Sequence, residues 1–268
     1  MLDYRIVPAN PVLFREGMIS DASRMAALLK RALQDLDGEH RRVVAAVPGY
    51  QTNLRRIELP NVRKMDPSIA IPSEARRTMG VSPESSHLSW RPLPGAADSS
   101  NWLVVSATNR SVSSISAMAD GAGLSMKAVE LRPFAVARAT NQPDAVFAWT
   151  AADGCDAVVV RDWVPMTYQS AYWGAGSEVQ PPDLVNRITE VVESTIAAHD
   201  VEAPELSVSK EMPLFVYGSP TGRDETVGVR VAQNVGMATQ EPDVPLNVPD
   251  GFPVRELIVN IGLSLWED

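Results

Sequence analysis

The sequence predicts an α/β protein. Three observations carry that expectation. Strand-like and helix-like segments alternate along the whole chain. Residues 43–47 (VVAAV) are apolar on both faces, as in a strand covered by helices on each side. A strongly amphipathic run near residues 184–196 lies between two apolar strand segments.

The elements follow in order. Residues 2–7 read as a short strand. Asp21 is a suitable N-cap for the run ASRMAALLKRALQDL, in which Met25, Leu28, Leu29, Leu33 and Leu36 recur at helical spacing before Gly38. After the 43–47 strand and Pro48-Gly49, residues 54–59 (LRRIEL) alternate apolar and polar, so one face packs and the other meets water. Residues 67–79 suggest a helix interrupted by Pro72. Strands are expected at 87–93 and 102–108, a helix at 111–122 and a returning strand at 126–129. Pro133 suits the first turn of another helix. Residues 146–149, 157–161 and 164–172 read as antiparallel strands joined by tight turns. Asp183 is expected to cap the helix carrying Leu184, Ile188, Val191, Val192, Thr195 and Ile196. A strand at 214–217, a helix at 227–235 and an apolar terminal helix complete the chain.

Composition narrows the function. The chain has 268 residues, a formal net charge of −9, 45% hydrophobic and 21% charged residues. That balance belongs to a globular protein and argues against phosphate-backbone binding, which needs a basic footprint. No apolar run reaches the length of a membrane span, and the N-terminus lacks a secretory signal pattern. The single cysteine, Cys155, permits no internal disulfide and reads as structural. His40, His87 and His199 lack metal-ligand spacing. Asp153 and Asp156 read as ordinary turn residues. Arg55, Arg56, Arg63, Lys64, Arg76 and Arg77 make one basic neighbourhood, read mainly as a solvated face. Of six tryptophans, Trp102, Trp149 and Trp266 are expected in the core, while Trp163 and Trp173 are candidate binding anchors.

The segment RRVVAAVPGYQTNLRRIELPNV closely resembles the hallmark of the PilM family, a strand reading roughly VVVAVPG followed by one reading RRIELP. The stretch WLVVSATNRSVSSISAMADGAGLSMKAVELRPFAVARA and the ending VRELIVNIGLSLWED resemble later family segments in the same order. The resemblance implies an actin-like fold, as in PilM and FtsA. Residues 1–49 would form part of the first domain, 50–131 an inserted α+β subdomain, 132–143 a returning helix and 144–268 the second domain. Against the family pattern, the N-terminal sheet is incomplete and the second helical subdomain reduced.

The resemblance also implies a cytoplasmic scaffold peripheral to the inner membrane, serving type IV pilus assembly or a related secretion or competence system. It would bind the N-terminal cytoplasmic peptide of a PilN-like inner-membrane protein and link it to motor components. Leu54, Arg55, Arg56 and Ile57, with Arg132, are the contact residues the resemblance puts forward, and homo-oligomerisation is a further expectation. The nucleotide elements depart from the family pattern. Trp149 stands where the second phosphate hairpin would carry aspartate, and Ala151 where it would carry glycine. Ser219-Pro220-Thr221 breaks the adenosine-loop glycine run between Gly218 and Gly222. Asp153, Gly154, Gly218 and Ser219 are the residual nucleotide-site candidates. The expectation is therefore a non-enzyme without cofactor. The alternative is an active actin-like ATPase binding ATP and magnesium, which needs a first phosphate hairpin before residue 2.

Overall fold

The computed structural model describes residues 4–15, 18–34, 42–47, 49–59, 66–93, 101–151, 153–174, 181–219, 221 and 224–266. Its largest sheet is built by the second half of the chain. Strands β8 (Ala145–Ala151), β9 (Gly154–Arg161) and β10 (Val164–Tyr172) form an antiparallel meander, and β11 (Pro213–Gly218) pairs parallel to β8. The short β12 (Ala238–Thr239) closes the order β10-β9-β8-β11-β12. Successive residues of β8 serve opposite faces: Val146 and Ala148 join one core, Ala145 and Phe147 the other. Helices α5 (Pro181–Glu202) and α6 (Glu225–Val235) cover the first face. Helices α4 (Arg132–Thr140) and α7 (Val254–Ser264) cover the second. Burial from both sides is why these strands read as continuous apolar runs.

The first half of the chain is organised differently. A ribbon of β1 (Phe14–Arg15) and β2 (Met18–Ile19) precedes α1 (Ala22–Gln34), where Asp21 Oδ1 accepts from the Arg24 amide at 2.9 Å, as expected of an N-cap. Strand β3 (Arg42–Val47) pairs in parallel with β7 (Ser125–Leu131). Between them, β4 (Thr52–Glu58), β5 (Ser86–Pro92) and β6 (Asn101–Thr108) form a separate antiparallel sheet of order β4-β6-β5. Helix α2 (Pro67–Met79) packs on one face of that sheet through Ala70, Ile71 and Ala75. Helix α3 (Asn109–Gly121) runs from β6 toward β7 and packs against α1.

Several expectations need correction. Residues 4–7 form no strand, and residues 2 and 3 lie outside the described residues, as do Leu36, Gly38 and the Arg63-Lys64 pair. An apolar pattern alone makes no strand without a neighbour to complete its hydrogen bonds. Pro72 does not interrupt α2, because Ile71 and Ala75 are completely buried beside it and that packing offsets the lost hydrogen bond. Asp183 lies inside the first turn of α5, not at its cap, where its charge still complements the helix dipole. Asp156 is a strand residue, the third of β9, rather than part of a turn. Trp173 is half-buried, with Arg187 over its ring, whereas Trp163 is exposed at the β9–β10 turn.

Cys155 is buried on the face of β9 covered by α5 and α6, and burial, reinforced by neighbouring Asp156, pushes its thiol well above the ordinary range. A thiol-reactive dye at neutral pH should therefore label the native protein at least about a hundredfold more slowly than the urea-unfolded chain. Stopped-flow absorbance with and without urea reads the two rates directly.

Candidate functional site

Two features stand out: a buried polar seam where the two halves meet, and an open groove beside it. The seam follows from the β3–β7 ladder. Val47 and Leu131 are its last paired residues, and the chain leaves it at Gly49 and at Arg132. Both departures meet Asp156. Arg132 Nη1 donates to Asp156 Oδ2 at 2.8 Å, and Ser170 Oγ donates to Asp156 Oδ1 at 2.6 Å. The two charged side chains are only 17% and 7% exposed. Burial alone would lower the Arg132 pKa, but the Asp156 charge and hydrogen bond outweigh it and the net shift is upward. The guanidinium carbon also lies 4.1 Å from the centre of the Trp149 ring, and Trp149 sits opposite Asp156 in the β8–β9 ladder. Gly49 is required here. A β-carbon on it would fall 2.0 Å from Asp156 Oδ1 and 2.0 Å from Tyr168 Oη. Burial, then the Asp156 charge, raises the Tyr168 phenol well above its usual range, so it stays neutral.

The residual nucleotide candidates lie at the edge of this seam. Asp153 lies in the β8–β9 turn and Gly154 is the first residue of β9. Gly218 adopts φ +98° as β11 ends, pressed against the Thr150 backbone, and Ser219 after it is exposed. Between them Thr150 and Thr221 are buried and hydrogen-bonded to each other at 2.7 Å. Thr150 Oγ1 also donates to the Tyr217 carbonyl at 3.0 Å. The hydroxyls between hairpin and loop are thus spent on each other. The cavity beside the hairpin, about 490 Å³, is lined mostly by apolar side chains, and its charged members are Arg132, already paired, and Asp153. A triphosphate needs cationic or amide donors, and magnesium needs convergent oxygens. Among the described residues no group of three His, Cys, Asp or Glu converges. Among the described residues that line the cavity, Arg132 is the only cation, and it is paired with Asp156.

The groove lies between the β5–β6 hairpin and β7. It measures about 320 Å³ and is lined by Trp90, Arg91, Leu103, Val105, Phe134 and Trp266, among others, with Ala128 to Leu131 of β7 along one wall. Arg91 lies 5.8 Å from the Phe134 ring centre, and Lys127 Nζ 4.9 Å from that of Trp266. Among the described residues β5 pairs only with β6 and β7 only with β3, so each presents one unmatched strand edge.

The contact residues expected from the sequence are placed elsewhere. Leu54 and Ile57 are 7% and 3% exposed, in cores on opposite sides of the β4 sheet. Arg55 pairs with Glu202 at 3.3 Å and Arg56 with Glu205 at 3.1 Å, which ties β4 to the last residue of α5 and to the turn that follows it. Arg76 and Arg77 pair with Glu84 and Glu74. Arg132 belongs to the seam. Sequence reading missed Asp156, and the available signal was a carboxylate set in the otherwise apolar strand GCDAVVV.

No protein-family model matches the sequence, and no curated protein matches it. Solved structures do. The chain is similar to one in the PilM–PilN type IV pilus biogenesis complex, with 20% identity, a TM-score of 0.70, and coverage of 96% of this chain and 89% of that one. This is the α/β actin-like ATPase fold. Within it, further similarity extends to the cytoplasmic domain of EpsL, an inner membrane component of the Vibrio cholerae type II secretion system (12% identity, TM-score 0.52, 91% and 82% covered). The ethanolamine utilization protein EutJ of Carboxydothermus hydrogenoformans shares the actin-like arrangement as well (15% identity, TM-score 0.51, 95% and 78% covered). No helix among the described residues is long and apolar enough to cross a membrane.

The seam makes a direct prediction. Arg132→Met leaves Asp156 charged and buried without its partner, and should cost about 3–5 kcal/mol in urea denaturation. The double variant Arg132→Met/Asp156→Leu should recover most of that loss.

Proposed function

We propose that this actin-like chain is a non-catalytic scaffold that holds an extended peptide in the groove between β5 and β7. The observation that carries the reading is the groove itself. Two unmatched strand edges flank a hollow whose aromatic and aliphatic walls suit apolar anchors. Main-chain hydrogen bonds to an added strand supply affinity, and alternate side chains in pockets supply register. The likeness to a chain of the PilM–PilN complex supports a PilN-like peptide as the occupant, and the likeness to the EpsL cytoplasmic domain supports a place in pilus or secretion assembly. The peptide is the cytoplasmic N-terminus of a bitopic inner-membrane protein, and this chain sits at the cytoplasmic face.

In this reading the protein does not turn over ATP. Three features support that: Arg132 is committed to Asp156, the Thr150 and Thr221 hydroxyls are committed to each other, and Trp149 occupies the hairpin position where a metal-orienting carboxylate would be needed. What the fold contributes is rigid placement of the groove walls.

Calorimetry with the N-terminal cytoplasmic peptide of a PilN-like protein should give a dissociation constant of about 1 μM. Arg91→Ala and Trp266→Ala should each weaken it roughly tenfold with the melting temperature little changed. Absence of binding, or binding indifferent to both changes, contradicts the groove assignment.

A further inference from the structure

Within the peptide-binding reading, on which this inference rests, the charges of the groove narrow the occupant further. Strand alternation sets them in place. In the β5–β6 ladder Arg91 stands opposite Leu103, and Ser89 opposite Val105. Directly opposed residues share one face of a sheet. Leu103 and Val105 belong to the core that includes Phe134 and Leu131, whereas α2 covers the other face. Arg91 and Ser89 therefore stand on the groove side, where both line it.

Among the described residues that line the groove, the charged ones are Arg91 and Glu130. Their circumstances differ. Arg138 donates to both carboxylate oxygens of Glu130, at 2.5 and 3.1 Å, and also to the Gly262 carbonyl at 2.5 Å. Only 13% of the Glu130 side chain is exposed. That carboxylate is already answered from within the protein. Arg91 is exposed, and among the described residues its guanidinium has no ion pair or hydrogen bond, only the face of Phe134. On the opposite lip Lys127 holds a second positive charge over the Trp266 ring. A groove with this balance is a local exception in a chain of formal net charge −9.

Strand β5 is an edge strand, and a charge on an edge ordinarily turns added strands away. At the lip of a groove it does so selectively. A cation set opposite Arg91 would be repelled, and an apolar residue would strip water from the guanidinium with nothing in return. A carboxylate there completes a cross-strand ion pair. We propose that the groove selects an extended peptide carrying Asp or Glu opposite Arg91 and an apolar residue two positions away, opposite Ser89. The spacing follows from the strand repeat. Side chains on one face recur at every second residue, about 6.6–6.8 Å apart, so an acid at Arg91 brings the apolar neighbour over the floor at Val105. Arg91 sets register and specificity, and the apolar walls supply affinity.

Fluorescence anisotropy with the whole chain tests this. The probe is the N-terminal cytoplasmic peptide of a PilN-like protein, remade with Glu or its neutral isostere Gln at each position in turn. At one position Glu should bind roughly fivefold more tightly than Gln. The advantage should fade in about 1 M salt. Arg91→Gln should abolish it with circular dichroism unchanged, and Arg91→Glu should prefer Lys at the same position. A parent peptide that binds, but favours Glu over Gln nowhere, overturns the acid requirement and leaves the groove assignment standing. So does a preference that survives Arg91→Gln. A parent peptide that fails to bind removes both.

Discussion

The buried ion pair between Arg132 and Asp156 is the constraint on which the rest of the architecture depends. It joins the residue that follows the first-half ladder to the second strand of the central meander. A pair this deeply buried is weak as a source of net stability, because desolvation of both charges cancels much of the attraction. Its force is positional. Arg132 meets one oxygen of the buried Asp156 carboxylate, Ser170 fills the other, and Trp149 covers the guanidinium face. Gly49, where β3 exits, is admitted because it has no side chain to collide with that carboxylate.

The seam and the groove are mechanically one unit. Arg132 follows the final residue of β7 and opens α4, so fixing it fixes both the β7 wall and Phe134, two residues further on. On the far side, Arg55 and Arg56 hold β4 to the end of α5, which restrains the sheet that carries the other wall. These two ties are exposed and individually weak. The groove therefore has one rigid wall set by buried electrostatics and one wall held by screened pairs.

Much of this fold was legible in local pattern. The apolar 43–47 run, the alternation in residues 54–59, the meander and the long helix α5 all appear near their expected positions, because each is dictated by side-chain periodicity over one element. The actin-like assignment from the VVAAVPG and RRIELP segments agrees with the structural likeness. What sequence reading missed depends on tertiary meetings. Arg132 and Asp156 lie 24 positions apart, and nothing local announces their contact. Asp156 looked like a turn residue because Gly154 precedes it closely, whereas β9 begins at that glycine. Leu54 and Ile57 were credited with partner contact because they belong to the most recognisable motif, but alternation turns both toward packed cores. The groove was illegible because its walls, β5 and β7, are separated in sequence by a strand and a helix.

We propose that an actin-like fold serves here as a scaffold whose halves are joined by protein contacts and need no nucleotide between them. A ligand that binds the folded state alone raises its melting temperature progressively, with the logarithm of its concentration once that exceeds the dissociation constant. Thermal unfolding of the purified chain, followed across a titration of magnesium-ATP to millimolar concentration, tests this most directly. The account predicts a melting temperature that does not change with nucleotide. A rise that grows with concentration and disappears when magnesium is chelated would contradict it.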